Sequence, residues 1–139
     1  MEGDLPLQEY QFAAELRATL RRFLRHTEEI ARAHGLTPQQ HQLLLAIKGS
    51  GDGTRSSTVT HLATALQLRQ STVTELVDRA EQAGLVERGQ SPLDGRVVRL
   101  TLTDEGERRL RGSVADLAAD RKELVRLLDE ALGHALGKQ

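Results

Sequence analysis

A run of hydrogen-bonding side chains, Gln70, Ser71, Thr72, Thr74, Glu75 and Arg79, lies between Arg69 on one side and Arg88, Arg96 and Arg99 on the other. Gln can grip adenine through two hydrogen bonds, and Ser or Thr can serve base edges or phosphates. The four flanking arginines are of the type that reaches phosphates beside a groove. Arg96 follows Asp94-Gly95, and a guanidinium on such a loop suits a narrow minor groove, where negative potential is enhanced. Asp94 would hold Arg96 by a charge-assisted hydrogen bond rather than touch a polyanion itself. The same Asp-Gly pair also makes an ordinary hairpin turn, and both readings can hold together. What these residues can do jointly is read a nucleic-acid duplex.

That chemistry needs elements to present it. Residues 58–66 repeat apolar side chains at Val59, Leu62, Ala63 and Leu66, and residues 71–83 repeat them at Val73, Leu76, Val77 and Ala80. Each set predicts one buried stripe on a helix. Only Gln67-Leu68-Arg69 separates them, so the two helices must meet at a sharp angle, as in a helix-turn-helix. With the stripe of the second turned to the core, Gln70, Ser71, Thr74, Glu75, Asp78 and Arg79 point elsewhere. Gly84 ends that helix. The period then changes to two in 85–88 and 97–102, around the turn cluster Ser91-Pro92-Leu93-Asp94-Gly95. A hairpin directly after a helix-turn-helix is the winged-helix layout. Residues 54–57 are a candidate third strand. Thr37, as cap, and Pro38 open an earlier helix, which carries Leu43, Leu44, Leu45 and Ile47 and ends in the glycine-rich linker 49–53.

The ends of the chain exceed what this lobe, 37–103, requires. A helical pattern covers 7–34, and another covers 104–137, capped by Thr103 and striped by Leu110, Val114, Leu117, Leu124, Leu128, Ala131 and Ala135. Gly112 and Gly133 mark where the latter would break. Apolar faces of that length call for a partner, and the simplest is a second copy, which gives a two-fold homodimer; the alternative is that both end helices fold back on their own core. The fold class is mainly α with a small β-hairpin wing, flanked by N- and C-terminal dimerisation helices.

Composition removes several alternatives. At 139 residues one domain is expected. The chain has no cysteine, so disulfides, thiolate metal sites and thiol redox sensing are excluded. Its aromatic residues are Tyr10, Phe12 and Phe23, which leaves none in the lobe for stacking single-stranded bases. The longest apolar run, 43–47, is far short of the ~20 residues of a membrane span. The N-terminus, MEGDLPLQEY, has neither a basic start nor an apolar stretch, and the expected compartment is the cytoplasm. No nucleophile, zinc-protease or phosphate-loop motif occurs, so no enzyme and no cofactor are expected. Of the five histidines, 26, 34, 41, 61 and 134, no two are four apart. His26 and Glu29 lie one helical turn apart and can supply two metal ligands, but a solvated pair is the commoner outcome and no metal is assigned. Charge alone decides little. Residues 55–100 hold six arginines against five acids, which keeps a winged-helix protein adaptor open as an alternative.

The stretch STVTELVDRAEQAGLVERGQSPLDGRVVRLTLTDEG, with LTPQQHQLLLAI and HLATALQL before it, resembles the core signature of the MarR family of winged-helix regulators. The resemblance covers about residues 10–130. It implies an obligate dimer with intertwined terminal helices on a pseudo-palindromic operator, with the recognition helix in the major groove and Arg96 in the minor groove. It further implies repression released by a small anionic or phenolic effector. The effector pocket would lie near Phe23, His26, Ile30, His41 and Leu45. A ligand-insensitive regulator is the other possibility. The chain departs from the family pattern at Gln67 and Arg69, where a turn glycine and a serine cap are common. It departs again at Glu75, often basic in relatives, which can repel phosphate or accept from a cytosine amine. Its C-terminal segment is also slightly short.

Overall fold

Each segment with a three- and four-residue apolar repeat is helical in the structure, a computed structural model that describes residues 3–49, 56–90 and 95–135. In chain order the elements are α1 (Leu7–Ala33), α2 (Pro38–Gly49), β1 (Ser56–Ser57), α3 (Val59–Leu66), α4 (Gln70–Gln82), β2 (Val86–Gln90), β3 (Val98–Leu102), α5 (Asp104–Asp116) and α6 (Ala118–Ala135). The chain divides into two compact units, 31–114 and the pair 1–30 with 115–139. Among the described residues no helix is long and apolar enough to cross a membrane.

The unit 31–114 is the winged lobe. Its core gathers Leu43, Leu44 and Ile47 of α2, Leu62 of α3, and Val73, Val77 and Ala80 of α4. Leu85 just before β2, Val86, Leu100 and Leu102 of the strands, and Leu110 of α5 complete it. The sheet order is β1-β3-β2, all antiparallel, with Val86 opposite Leu102, Arg88 opposite Leu100 and Ser57 opposite Leu100. Of the candidate third strand, 54–57, Ser56–Ser57 is a strand and residues 54 and 55 lie outside the described residues. Of the turn cluster 91–95, only Gly95 lies within the described residues.

Caps fix where the helices begin. Thr37 Oγ1 accepts from Gln40 N at 3.1 Å and Gln40 Oε1 accepts from Thr37 N at 2.9 Å, a reciprocal capping box that satisfies two amides otherwise left orphaned. Thr58 Oγ1 accepts from His61 N at 3.2 Å. The α3–α4 turn closes through Leu68 N to Ala63 O at 3.0 Å, with Gln67 at φ 56°. The left-handed region costs an L side chain roughly 1 kcal/mol or more, and glycine escapes that cost. Replacing Gln67 with Gly, after subtracting glycine's added unfolded-state entropy, is expected to stabilise the lobe by about 0.5–1 kcal/mol. Thermal melting should register this as a rise of about 1–4 °C; a fall would mean that the Gln67 side chain makes a contact worth more than the backbone strain.

The helix expected over 104–137 is interrupted within its described residues, 104–135. The chain breaks at Leu117, which is buried, between α5 and α6. Neither glycine expected to cause a break does so, because both lie inside helices. Gly112 serves as a spacer, since a Cβ there would stand 2.5 Å from His34 Nδ1. The start of this segment, through Val114, belongs to the winged lobe. Leu110 and Ser113 are buried there.

The other unit holds most of α1 together with α6. Phe12 and Leu16 of α1 face Leu127, Leu128 and Ala131 of α6 across a hollow of about 330 Å3. His26 Nδ1 lies 3.0 Å from Asp120 Oδ1. Leu7, Tyr10, Leu24, Val125 and Leu132 are left exposed.

Candidate nucleic-acid interface

Helix α4 sorts its residues by face, as the apolar period requires. Val73, Val77 and Ala80 are fully buried, while Gln70, Ser71, Thr74, Glu75 and Arg79 are exposed and Thr72 and Asp78 are half-buried. At 13 residues the helix is about 20 Å long, enough to lie across a major groove about 12 Å wide. Thr74 Oγ1 donates to Gln70 O at 2.9 Å. Its proton is thereby used, and the oxygen is left to accept from a base amine rather than donate to a phosphate. Arg69 occupies the N-cap position with extended backbone and no side-chain cap bond, so the first amides of α4 lack the usual capping hydroxyl.

Arg69, Arg88 and Arg96 are exposed, at the helix-turn-helix corner, on β2 and at the wing turn. Arg88 and Arg99, expected at phosphates, have partners within the lobe. Arg88 Nη2 donates to Asp78 Oδ1 on α4, and its Nη1 lies 3.8 Å from Glu81 Oε1. Strand phase explains this. Arg88 alternates with buried Val86 and stands opposite buried Leu100, so it leaves the sheet on the face that packs against the core. Arg99 bridges to β1 instead, with Nε and Nη2 donating to Ser56 Oγ at 3.0 and 2.8 Å. Asp78 and Glu81 as partners of Arg88 were missed from sequence; the signal was the period-two match of Arg88 with Val86. Asp94, expected to hold Arg96, lies outside the described residues.

The residues expected around an effector fall in both units. Phe23, His26 and Ile30 belong to the unit built on α1 and α6, and His41 and Leu45 to the winged lobe. Phe23 and His26 line a hollow of about 280 Å3 with Thr19, Arg22, Asp120 and Leu124. The partner of His26 is Asp120, on a different helix, rather than Glu29, and among the described residues no group of three His, Asp or Glu is placed to hold a metal ion. Leu45 is exposed. His41 is instead a core residue, only 4% exposed. Ser113 Oγ donates to Leu110 O at 3.0 Å and lies 3.1 Å from His41 Nδ1. With the hydroxyl proton committed to the carbonyl, Nδ1 must carry the imidazole proton and donate to Ser113.

Burial lowers the His41 pKa below its ordinary value of 6.5. The folded lobe therefore favours neutral imidazole. The stabilising contribution is complete above pH 6.5 and is lost as pH falls from there through the lower folded-state value. Unfolding midpoints followed from about pH 8 to about pH 5 should decline on the acid side, and less steeply in His41→Gln. Parallel profiles for the two proteins would remove His41 as the cause.

The comparisons with known proteins converge on these elements. The description of the MarR family matches residues 34–97, from the end of α1 to the wing turn. The HTH-type transcriptional regulator YsmB of Bacillus subtilis is 35% identical over 103 residues, which are 74% of this chain and 65% of that protein. The HTH-type transcriptional repressor MdtR of the same organism is 38% identical over 73 residues, 52% of this chain and 44% of that protein. The matches thus span less than two thirds of either relative's length. A crystal structure of a mutant MarR from E. coli complexed with operator DNA is similar with a TM-score of 0.68 at 22% identity, covering 96% of this chain and 99% of that one, a likeness of fold. Helix-turn-helix, three-stranded sheet and matched sequence all agree with the MarR family.

Proposed function

We propose that the protein is a homodimeric, sequence-specific DNA-binding transcriptional regulator that represses from a pseudo-palindromic operator. The observation that carries this reading is α4, whose Val73, Val77 and Ala80 are fully buried while Gln70, Ser71, Thr74, Glu75 and Arg79 remain exposed beside Arg69. In the proposed complex α4 enters the major groove and Arg96, at the wing turn, enters the adjoining minor groove. The exposed apolar side chains of α1 and α6 support pairing with a second copy, which sets two recognition helices about 34–36 Å apart, one turn of DNA. Repression rather than activation is favoured by the relative MdtR, which is named a repressor. A small phenolic or anionic effector would act through Phe23, His26 and Ile30, and its binding would be read as a rise in melting temperature.

Selection from a random duplex pool tests the central reading, with the mass in solution measured alongside. An enriched two-fold site and a dimer are expected. No enrichment would favour the protein-adaptor alternative, which draws on the small charge surplus of residues 55–100 and on the internal pairing of Arg88.

A further inference from the structure

We infer that Arg88 is a positioning residue for DNA binding: it neutralises the acidic stripe of α4 and braces that helix on the wing, and it makes no phosphate contact of its own. This rests on the DNA-binding reading. Helix α4 carries Glu75, Asp78 and Glu81 against a single cation, Arg79. The three acids follow one another at steps of three residues, so they share one side of the helix. A helix with that balance, laid in a groove, meets phosphates with like charge, and such juxtaposition is costly.

The guanidinium of Arg88 answers this from below. It pairs with Asp78 and lies 3.8 Å from Glu81, leaving Glu75 as the acid of the stripe without a cation from the strand. Register makes the contact possible. Arg88 stands opposite Leu100 in the middle of the β2–β3 ladder, so its side chain projects from a paired strand rather than from the wing turn. The same ion pairs join the second half of α4 to the base of the wing. The groove-reading helix and the Arg96 turn are thereby held in one arrangement, whatever sequence lies beneath them.

A double-mutant cycle separates this role from a direct phosphate contact. Affinities for a duplex selected by the wild-type protein are measured against salt for Arg88→Gln, for Asp78→Asn with Glu81→Gln, and for all three together. Arg88→Gln alone is expected to weaken binding by about tenfold. In the background lacking both acids the same substitution should cost less than about twofold, because nothing remains for Arg88 to neutralise. Arg88→Lys should keep most of the affinity, which also guards against reading a folding defect as a binding one; circular dichroism checks each variant. An equal loss in both backgrounds, with the salt slope reduced by about one, would make Arg88 a phosphate ligand and overturn the inference while leaving the DNA reading intact. No loss in either background would overturn it too. A wild-type protein that selects no duplex would instead overturn the DNA reading and this inference with it.

Discussion

Gly106→Ala is expected to destabilise the winged lobe by about 3 kcal/mol, the upper part of the usual range for overpacking. A Cβ at this position would stand 2.2 Å from Leu85 O, 3.1 Å from Leu85 C and 3.3 Å from Leu85 Cα. All three are backbone atoms, so no rotamer change relieves the clash. The carbonyl concerned is also occupied, since Leu85 O accepts from Thr103 N at 3.0 Å. Thr103 adds two further ties at the same junction. Its Oγ1 donates to Gly84 O at 2.7 Å and accepts from Gly106 N at 3.0 Å, capping α5. Making room for a methyl group therefore means moving the exit of α4, the start of β2 and the start of α5 together. Melting should show a drop of roughly 6–12 °C. A change below about 2 °C would show that α5 can shift outward cheaply, and the rigid-junction account would fail.

Arg96→Ala is expected to weaken binding to the selected duplex by roughly ten- to hundredfold, the range for loss of one well-placed arginine contact. Arg96 is exposed in the wing turn, where it can approach a minor groove whose negative potential is strongest when it is narrow. Removing a cation that displaces one counterion should also lower the slope of log affinity against log salt by about one unit. Fluorescence anisotropy over a series of salt concentrations measures both quantities at once. Gln70→Ala makes the useful contrast, since it should relax preference at particular base pairs and leave the salt slope alone. Unchanged affinity and slope in Arg96→Ala would remove the wing from the interface.

Much of the lobe was legible because its determinants are local. The apolar sets at Val59, Leu62, Ala63 and Leu66 and at Val73, Leu76, Val77 and Ala80 recur at the helical period. The resulting helices put Leu62, Val73, Val77 and Ala80 in the core. Thr37, Thr58 and Thr103 act as caps because a hydroxyl can reach an amide three residues on. The division of α4 into buried and exposed faces, and hence the candidate reading surface, follows from the same period. Side-chain destinations across the fold were another matter. Arg88 and Arg99 read as two interchangeable cations near a wing, yet one crosses to α4 and the other to β1.

The amino-acid sequence alone determined the helix-turn-helix, the hairpin after it and which face of Gln70–Gln82 is polar, since periodicity and capping act over a few neighbouring residues. Only the tertiary structure decided that Arg88 pairs with Asp78, that His41 is buried against Ser113, and that the final helical stretch is interrupted at Leu117 rather than at a glycine. Those outcomes depend on strand register and on packing between segments 10 to 72 residues apart. Which atoms meet is fixed there by how the elements stack, and the period-two match of Arg88 with Val86 is the trace that neighbours in the chain carry of it.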